Sequence, residues 1–87
     1  MTTIGLIGCG AIGSRLAREI QRQFKGQARV IGIYDKYHAK AVKLSRSFRP
    51  PLPILSLQKL FERCQLLIEA ASPAAVGQLL PYAISRK

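Results

Sequence analysis

The chain has 87 residues, of which 14 are Lys or Arg and four are Asp or Glu, giving a net charge of +10. That length allows one small domain, which buries roughly 60–65% of its unfolded surface and carries a thin core. A hydrophobic fraction of 48% excludes a disordered chain, and no apolar run nears the ~20 residues of a membrane helix.

Met1-Thr2-Thr3 places no positive segment ahead of an apolar run, so no secretory signal is expected and the expected compartment is the cytoplasm. Cys9 and Cys64 are then expected as free thiols. His38 has no second ligand residue spaced to help it and reads as a surface residue, with no metal site and no catalytic residue expected. Arg15, Arg18, Arg22 and Lys25 recur at helical spacing, as do Lys36, Lys40 and Lys43. Two such stripes read first as solvated faces of separate helices, with phosphate, nucleic-acid or acidic-partner contact as the alternative. No aromatic platform interleaves with them, which counts against a nucleic-acid partner.

Thr3 to Ile7 is a nearly continuous apolar and β-branched run, the texture of a central parallel strand buried on both faces. Gly8, Gly10 and Gly13 follow in a G-x-G-x-x-G arrangement. In a dinucleotide-binding turn the first glycine permits the tight turn, the second lets backbone approach a pyrophosphate, and the third lets helix pack on strand. The helix that opens there offers N–H groups and a positive dipole end to phosphates. Its apolar stripe is Ile12, Leu16, Ile20 and Phe24, and Gly26 is the expected stop.

Arg29 to Asp35 is a second strand ending on an acid, about 20 residues beyond the last glycine. A carboxylate there accepts from both ribose hydroxyls and repels a 2′-phosphate, which favours NAD over NADP. Capping of the next helix is its other reading. Lys36, just beyond Asp35, is a cation able to accommodate a 2′-phosphate, so NADP stays an alternative. Residues 36–48 read as a basic amphipathic helix with Ala41, Leu44 and Phe48 inward.

Arg49-Pro50-Pro51-Leu52-Pro53 reads as loop, with Ile54 and Leu55 a short third strand. Ser56 is an expected N-cap for a helix burying Leu57, Leu60, Phe61 and Cys64. Residues 65–71 form the fourth strand, within which Glu69 reads as an edge charge, a paired structural acid or a site residue. Ser72-Pro73 starts a last helix that Pro81 interrupts. The alternation implies an α/β chain, a partial Rossmann fold with a parallel sheet of about four strands in the order 3-2-1-4 and flanking helices. The fourth strand then ends at the same crevice as the first, so Ala70, Ala71 and Ser72 border the cofactor, with Ser72 either a hydroxyl partner or a cap only.

Gly5-Leu6-Ile7-Gly8-Cys9-Gly10-Ala11-Ile12-Gly13, Tyr34-Asp35 and Glu69-Ala70-Ala71-Ser72-Pro73, with Ala75-Val76 after it, resemble the opening of the L-aspartate dehydrogenases. The resemblance covers essentially the whole chain. It implies NAD(P)-dependent conversion of L-aspartate to iminoaspartate, with cofactor contacts at Gly8, Gly10, Ala11, Ile12, Gly13, Asp35, Ala70, Ala71 and Ser72. It also implies a second domain that holds substrate and supplies a catalytic histidine, and nothing in residues 1–87 corresponds to it. The expectation is a single dinucleotide-binding domain over 1–87, lacking the C-terminal catalytic domain, that binds without turning over. The rival is a non-enzymatic nucleotide-sensing or polyanion-binding module. Self-association is expected through an uncovered sheet edge, and a clean monomer by sedimentation at high concentration would count against it.

Overall fold

The computed structural model describes residues 1–70. Strand β1 (Thr2–Ile7) leads through the glycine turn into helix α1 (Ala11–Gln23), then strand β2 (Ala28–Tyr34) and helix α2 (His38–Arg46). A proline-rich segment follows, then helix α3 (Leu57–Arg63) and strand β3 (Leu66–Glu69). β1 is central, with β2 and β3 parallel to it on either side. The α/β class and the parallel sheet agree with the sequence, and among the described residues the sheet has three strands in the order β2-β1-β3 instead of the four expected in the order 3-2-1-4.

The missing strand is residues 54–55, and its failure has a chemical cause. Pro50, Pro51 and Pro53 bring no N–H to a ladder. What survives is one parallel bridge, Ile33 to Ile54. Ile33 N–H donates to Pro53 O at 2.9 Å and Leu55 N–H to Ile33 O at 3.0 Å. Three residues earlier on β2, Val30 N–H donates to the Gln21 side chain at 3.0 Å, an acceptor supplied by α1 instead of a strand. Ser45 secures the proline segment from the other side. It is buried, its Oγ donates to Leu52 O at 2.6 Å, and its carbonyl accepts from Leu52 N–H.

The sheet buries both faces, as its unbroken apolar strands require. On one face Ile4, Leu6, Val30 and Ile33 pack with Ala17 and Ile20 of α1 and Ala41 and Leu44 of α2. On the other, Leu60 and Cys64 pack with Leu67, flanked by Ile7, Ile31, Tyr34 and Leu55. This second core depends on two glycines that face each other across the β1–β2 ladder, Gly5 and Gly32. A Cβ on Gly5 would stand 2.7 Å from Cys64 Sγ, and one on Gly32 would stand 2.9 Å from Leu60 Cδ2. Their absence of side chain lets α3 lie against the backbone, where Leu60 is fully buried. Such burial stabilises by about 1.5–3 kcal/mol. The ladder shifts register between Ile4 and Gly5, leaving Ile31 as the extra residue on β2.

Three inward assignments change. Phe24 lies beyond the last helical residue as the C-cap and is 47% exposed, while the small Gly13 and Ala17 occupy the innermost face of α1 with Ile20. Leu57 and Phe61 are also exposed, because α3 has only seven residues and seats just Leu60 on the glycine pair. The helix read over 36–48 is shorter, starting at His38 with Tyr37 as N-cap and ending at Arg46. Phe48 still packs on the core. Ser56 caps α3 as expected, its Oγ accepting from Lys59 N–H at 3.2 Å. Among the described residues, no helix is long and apolar enough to cross a membrane.

Candidate functional site

The C-terminal ends of all three strands meet at one edge of the sheet, and the glycine turn lies there. Gly8 has φ of +102°, a conformation that L side chains rarely adopt, so the turn requires glycine. Its N–H donates to Tyr34 O at 2.7 Å, tying the turn to the end of β2. Gly13 is required for a different reason. A Cβ there would sit 1.9 Å from the carbonyl oxygen of Gly8. Gly10 differs from both: a Cβ built on it meets nothing within 4 Å and its φ of −78° is open to any residue. The fold does not need glycine at position 10.

Gly10 is the N-cap of α1, which has no side-chain cap and no acid in its first turn. The N–H groups of a first helical turn have no intrahelical partner. Here they are left to whatever occupies the space beside Gly10, with the positive end of the helix dipole behind them. Ala11 is exposed and opens the helix, and Ile12 packs its side chain on the core.

Asp35 is held firmly. One carboxylate oxygen accepts from Cys9 N–H at 2.7 Å and the other from Tyr37 N–H at 2.8 Å. The acid therefore fastens the glycine turn to the β2–α2 connection, and a carboxylate keeps further lone pairs for a ligand. The capping alternative resolves into this pair of bonds, since α2 has no side-chain cap at Tyr37. A cleft of about 310 Å³ opens here, lined by Gly8, Gly10, Asp35, Lys36, Tyr37, Lys40 and Glu69, together with Ile7 and Tyr34. Glu69 thus ends in the cleft, opposite its place as the odd acid of an apolar strand. Ala70 is buried and its N–H donates to Ile7 O at 2.7 Å, so β3 stays laced to β1 up to the crevice. Ala71, Ser72 and the helix read from Ser72 onward lie outside the described residues.

Sequence reasoning missed Tyr37 and read Lys40 first as part of a solvated stripe. Tyr37 is 57% exposed at the cleft, and the ammonium groups of Lys36 and Lys40 each stand 5.2 Å from its ring centroid. A signal was present for Lys40, three residues beyond Tyr37 and so on the same side of the helix start, whereas Lys36 precedes the helix and reaches the ring from the connection. His38 begins α2 and does not line this cleft. No group of three or more His, Cys, Asp or Glu residues fit for a metal ion occurs among the described residues.

Cys9 lies beneath the turn and is buried, as is Cys64, and the two are not joined in a disulfide. Burial, and then the negative charge of Asp35, push the Cys9 thiol up to about 11. The thiol should therefore stay protonated and unreactive at pH 8 in the folded chain. An unfolded thiol ionises near 9, so the folded state holds its proton more tightly and stability contributed at neutral pH is lost as pH rises from about 9 to about 11. Alkylation by iodoacetamide at pH 8 should be slow for the native chain and fast in urea. Prompt native labelling of Cys9 would refute the buried, acid-flanked setting.

Comparison with known proteins places this geometry. Residues 8–87 match the family model described as homoserine dehydrogenase, NAD binding domain. The L-aspartate dehydrogenase of Methanocella arvoryzae is 35% identical over 99% of this chain, and that of Methanosarcina acetivorans 32% identical over 97%. The chain spans about a third of their length, 32% and 31% respectively. In structure it is similar to a UDP-N-acetylglucosamine 3-dehydrogenase from Acidithiobacillus ferrooxidans, with a TM-score of 0.67 and 16% identity over 85% of this chain and 23% of that one. A dehydrogenase (MviM) from Clostridium difficile gives 0.64 and 19% over 98% of this chain and 28% of that one. At such identities the structural likeness speaks for the Rossmann-like fold alone. With the match running from the first glycine of the turn to the last residue, the chain belongs to the homoserine dehydrogenase NAD-binding domain family.

Proposed function

We propose that residues 1–87 form one nicotinamide-dinucleotide-binding domain of an oxidoreductase of the L-aspartate dehydrogenase type, and that the domain binds cofactor without catalysing hydride transfer by itself. The observation that carries this reading is Gly10. Gly8 and Gly13 are demanded by the fold, whereas Gly10 borders open space at an uncapped, positively polarised helix start. A pyrophosphate there accounts for the missing side chain. The residues fit the rest of the cofactor: Asp35 would take the ribose hydroxyls, the N–H groups of Ala11, Ile12 and Gly13 the phosphates, and Lys36 the rim of the ribose site. Ala70, Ala71 and Ser72 would border the nicotinamide side. A bound nicotinamide supplies hydride acceptance and return. This chain's part is to bind and orient it.

Catalysis also needs a substrate carbon held against the nicotinamide, with its own orienting groups. In this reading those groups come from the portion of the relatives that this chain does not span, and substrate choice resides there.

Calorimetric titration tests the binding claim. NADH should bind the 87-residue chain with an affinity that survives high salt. A steep loss with salt and no preference for a dinucleotide over a short duplex would instead mark a polyanion binder. Asp35→Ala should weaken NADH more than NADPH, by about tenfold in ratio, since the lost ribose bonds matter to both but the lost negative charge favours only the 2′-phosphate. Stability will also fall, because Cys9 and Tyr37 lose their acceptor. The ratio is therefore the readout, and an unchanged ratio removes Asp35 from the ribose.

A further inference from the structure

The prolines that break the third strand also leave a groove beside β2. It lies along the N-terminal half of that strand, where a neighbouring strand would run, and has a volume of about 330 Å³. It shares no lining residue with the crevice that contains Asp35. Val30, Leu52 and Phe48 give it an apolar lining, continued by Pro50, Pro51 and Pro53. Arg29 and Arg49 border it, both exposed and neither paired with a carboxylate among the described residues. No acid lines it. Glu19 pairs with Arg22, Asp35 and Glu69 lie at the crevice, and Glu62 accepts from Gln58 on α3.

The edge of β2 is half satisfied there. Ala28, Val30 and Ile33 turn their N–H groups away from β1, to Phe24 O, Gln21 Oε1 and Pro53 O. In a strand a residue's carbonyl points to the same side as its N–H, so the Val30 carbonyl also faces outward, along the groove that Val30 lines. The prolines have no N–H to offer it, and Leu52 N–H is committed to Ser45 O. Gln21 stands in for one peptide unit of the absent strand. Its side-chain oxygen takes the Val30 N–H, and its amide borders the groove with N–H donors of its own.

We propose that this groove docks an extended, acidic segment of a partner protein, added beside β2 as a short strand. A backbone N–H of that segment donates to the Val30 carbonyl. Its Asp or Glu side chains accept from Arg29 and Arg49, whose planar guanidinium groups match carboxylates two bonds at a time. Its apolar side chains cover Val30, Leu52 and Phe48. A free carboxylate would serve the two cations alone and leave the carbonyl and the apolar lining without a partner. A second copy of this chain is a poor occupant, because each copy carries +10 and has only four acids, placed as above. The inference does not rest on dinucleotide binding, since groove and crevice have no residue in common.

The test titrates the 87-residue chain with an acetylated, amidated peptide of alternating Val and Glu, with the same peptide carrying Gln for Glu, and with free glutarate. Amide NMR reads where each probe binds, and calorimetry reads how tightly. The Glu peptide should move the signals of Val30, Ile31 and the Gln21 side chain while leaving Gly8 to Gly13 unmoved. It should bind about tenfold or more tighter than the Gln peptide. Arg29→Gln with Arg49→Gln should lose about tenfold or more of that affinity. Lys25→Gln with Arg63→Gln, matched in charge and outside the groove, should lose less than about threefold. All four residues are exposed, so both variants should melt with the parent chain; if either unfolds, the NMR map of the parent decides. Equal losses in the two variants would reduce the effect to net charge, and glutarate binding as tightly as the Glu peptide would reduce it to an anion site. Either result overturns the proposal, as does a Glu peptide that moves the glycine-turn signals instead or moves none.

Discussion

Gly13→Ala should remove most of the stability of the chain, although it adds a single methyl group to a helix. Alanine is ordinarily the better helix former by about 1 kcal/mol, so propensity alone predicts a gain. Sterics reverse the sign. The added Cβ would lie 1.9 Å from the backbone carbonyl oxygen of Gly8 and the carbonyl carbon stands 2.9 Å away. Neither atom belongs to a flexible side chain. Gly8 is itself fixed in a positive-φ conformation and hydrogen-bonded to Tyr34 O, so the turn cannot give way cheaply. Relief requires α1 to lift from the sheet, which unpacks Ala17 and Ile20 from Ile4, Leu6 and Val30. Overpacked sites cost about 1–3 kcal/mol and occasionally more, and this clash belongs at the upper end. In a domain of this size ~3 kcal/mol lowers the melting temperature by roughly 12–24 °C. Thermal unfolding followed by circular dichroism gives the answer directly. A melting temperature within about 5 °C of the parent chain would mean that helix and turn separate far more easily than their packing implies.

The same comparison shows what was legible in the sequence. The spacing of the three glycines identified the turn only together with its context, the apolar strand before it, the amphipathic helix after it and the acid ending the second strand. Asp35 was legible too, since a strand that starts after Gly26 must end near it. The third strand was not, because Ile54 and Leu55 look like strand residues wherever they occur. Only the prolines upstream, read as lost donors, explain why a single bridge forms. Leu57 and Phe61 misled because apolar periodicity assigns a whole stripe to the interior, while the sheet offers α3 one narrow seat. That seat is Gly5 beside Gly32, two residues far apart in sequence that become neighbours only when the β1–β2 register is known. Likewise Arg29 and Arg49 read as a strand residue and a loop residue until the proline segment is placed beside β2. Local chemistry was readable; what depends on two elements meeting was not.

Gly10→Val should do the reverse of Gly13→Ala, leaving the fold intact and removing the dinucleotide. A Cβ at position 10 meets no protein atom within 4 Å, and the residue's φ of −78° and ψ of −156° suit a β-branched side chain. The stability cost is that of a poorer N-cap, a few tenths to about 1 kcal/mol. The valine methyl groups, however, would fill the space into which the N–H groups of the first turn of α1 open. A pyrophosphate could then approach those groups only by displacing the side chain or the helix. NADH affinity should fall by about a hundredfold or more, equivalent to ~2.7 kcal/mol. Gly10→Ser sharpens the test, because serine is a favoured N-cap that should hold or raise the melting temperature while still intruding on the phosphate position. Calorimetric titration and thermal unfolding on the same two samples separate the outcomes. Wild-type affinity in Gly10→Val would leave the open space beside Gly10 without a ligand and would remove the observation on which dinucleotide binding rests. A large stability loss without the Gly13 clash would instead mean that the fold needs Gly10 as well. The two glycines stand three positions apart in one turn, so opposite results from them divide the motif into a part that holds the chain together and a part that holds its ligand.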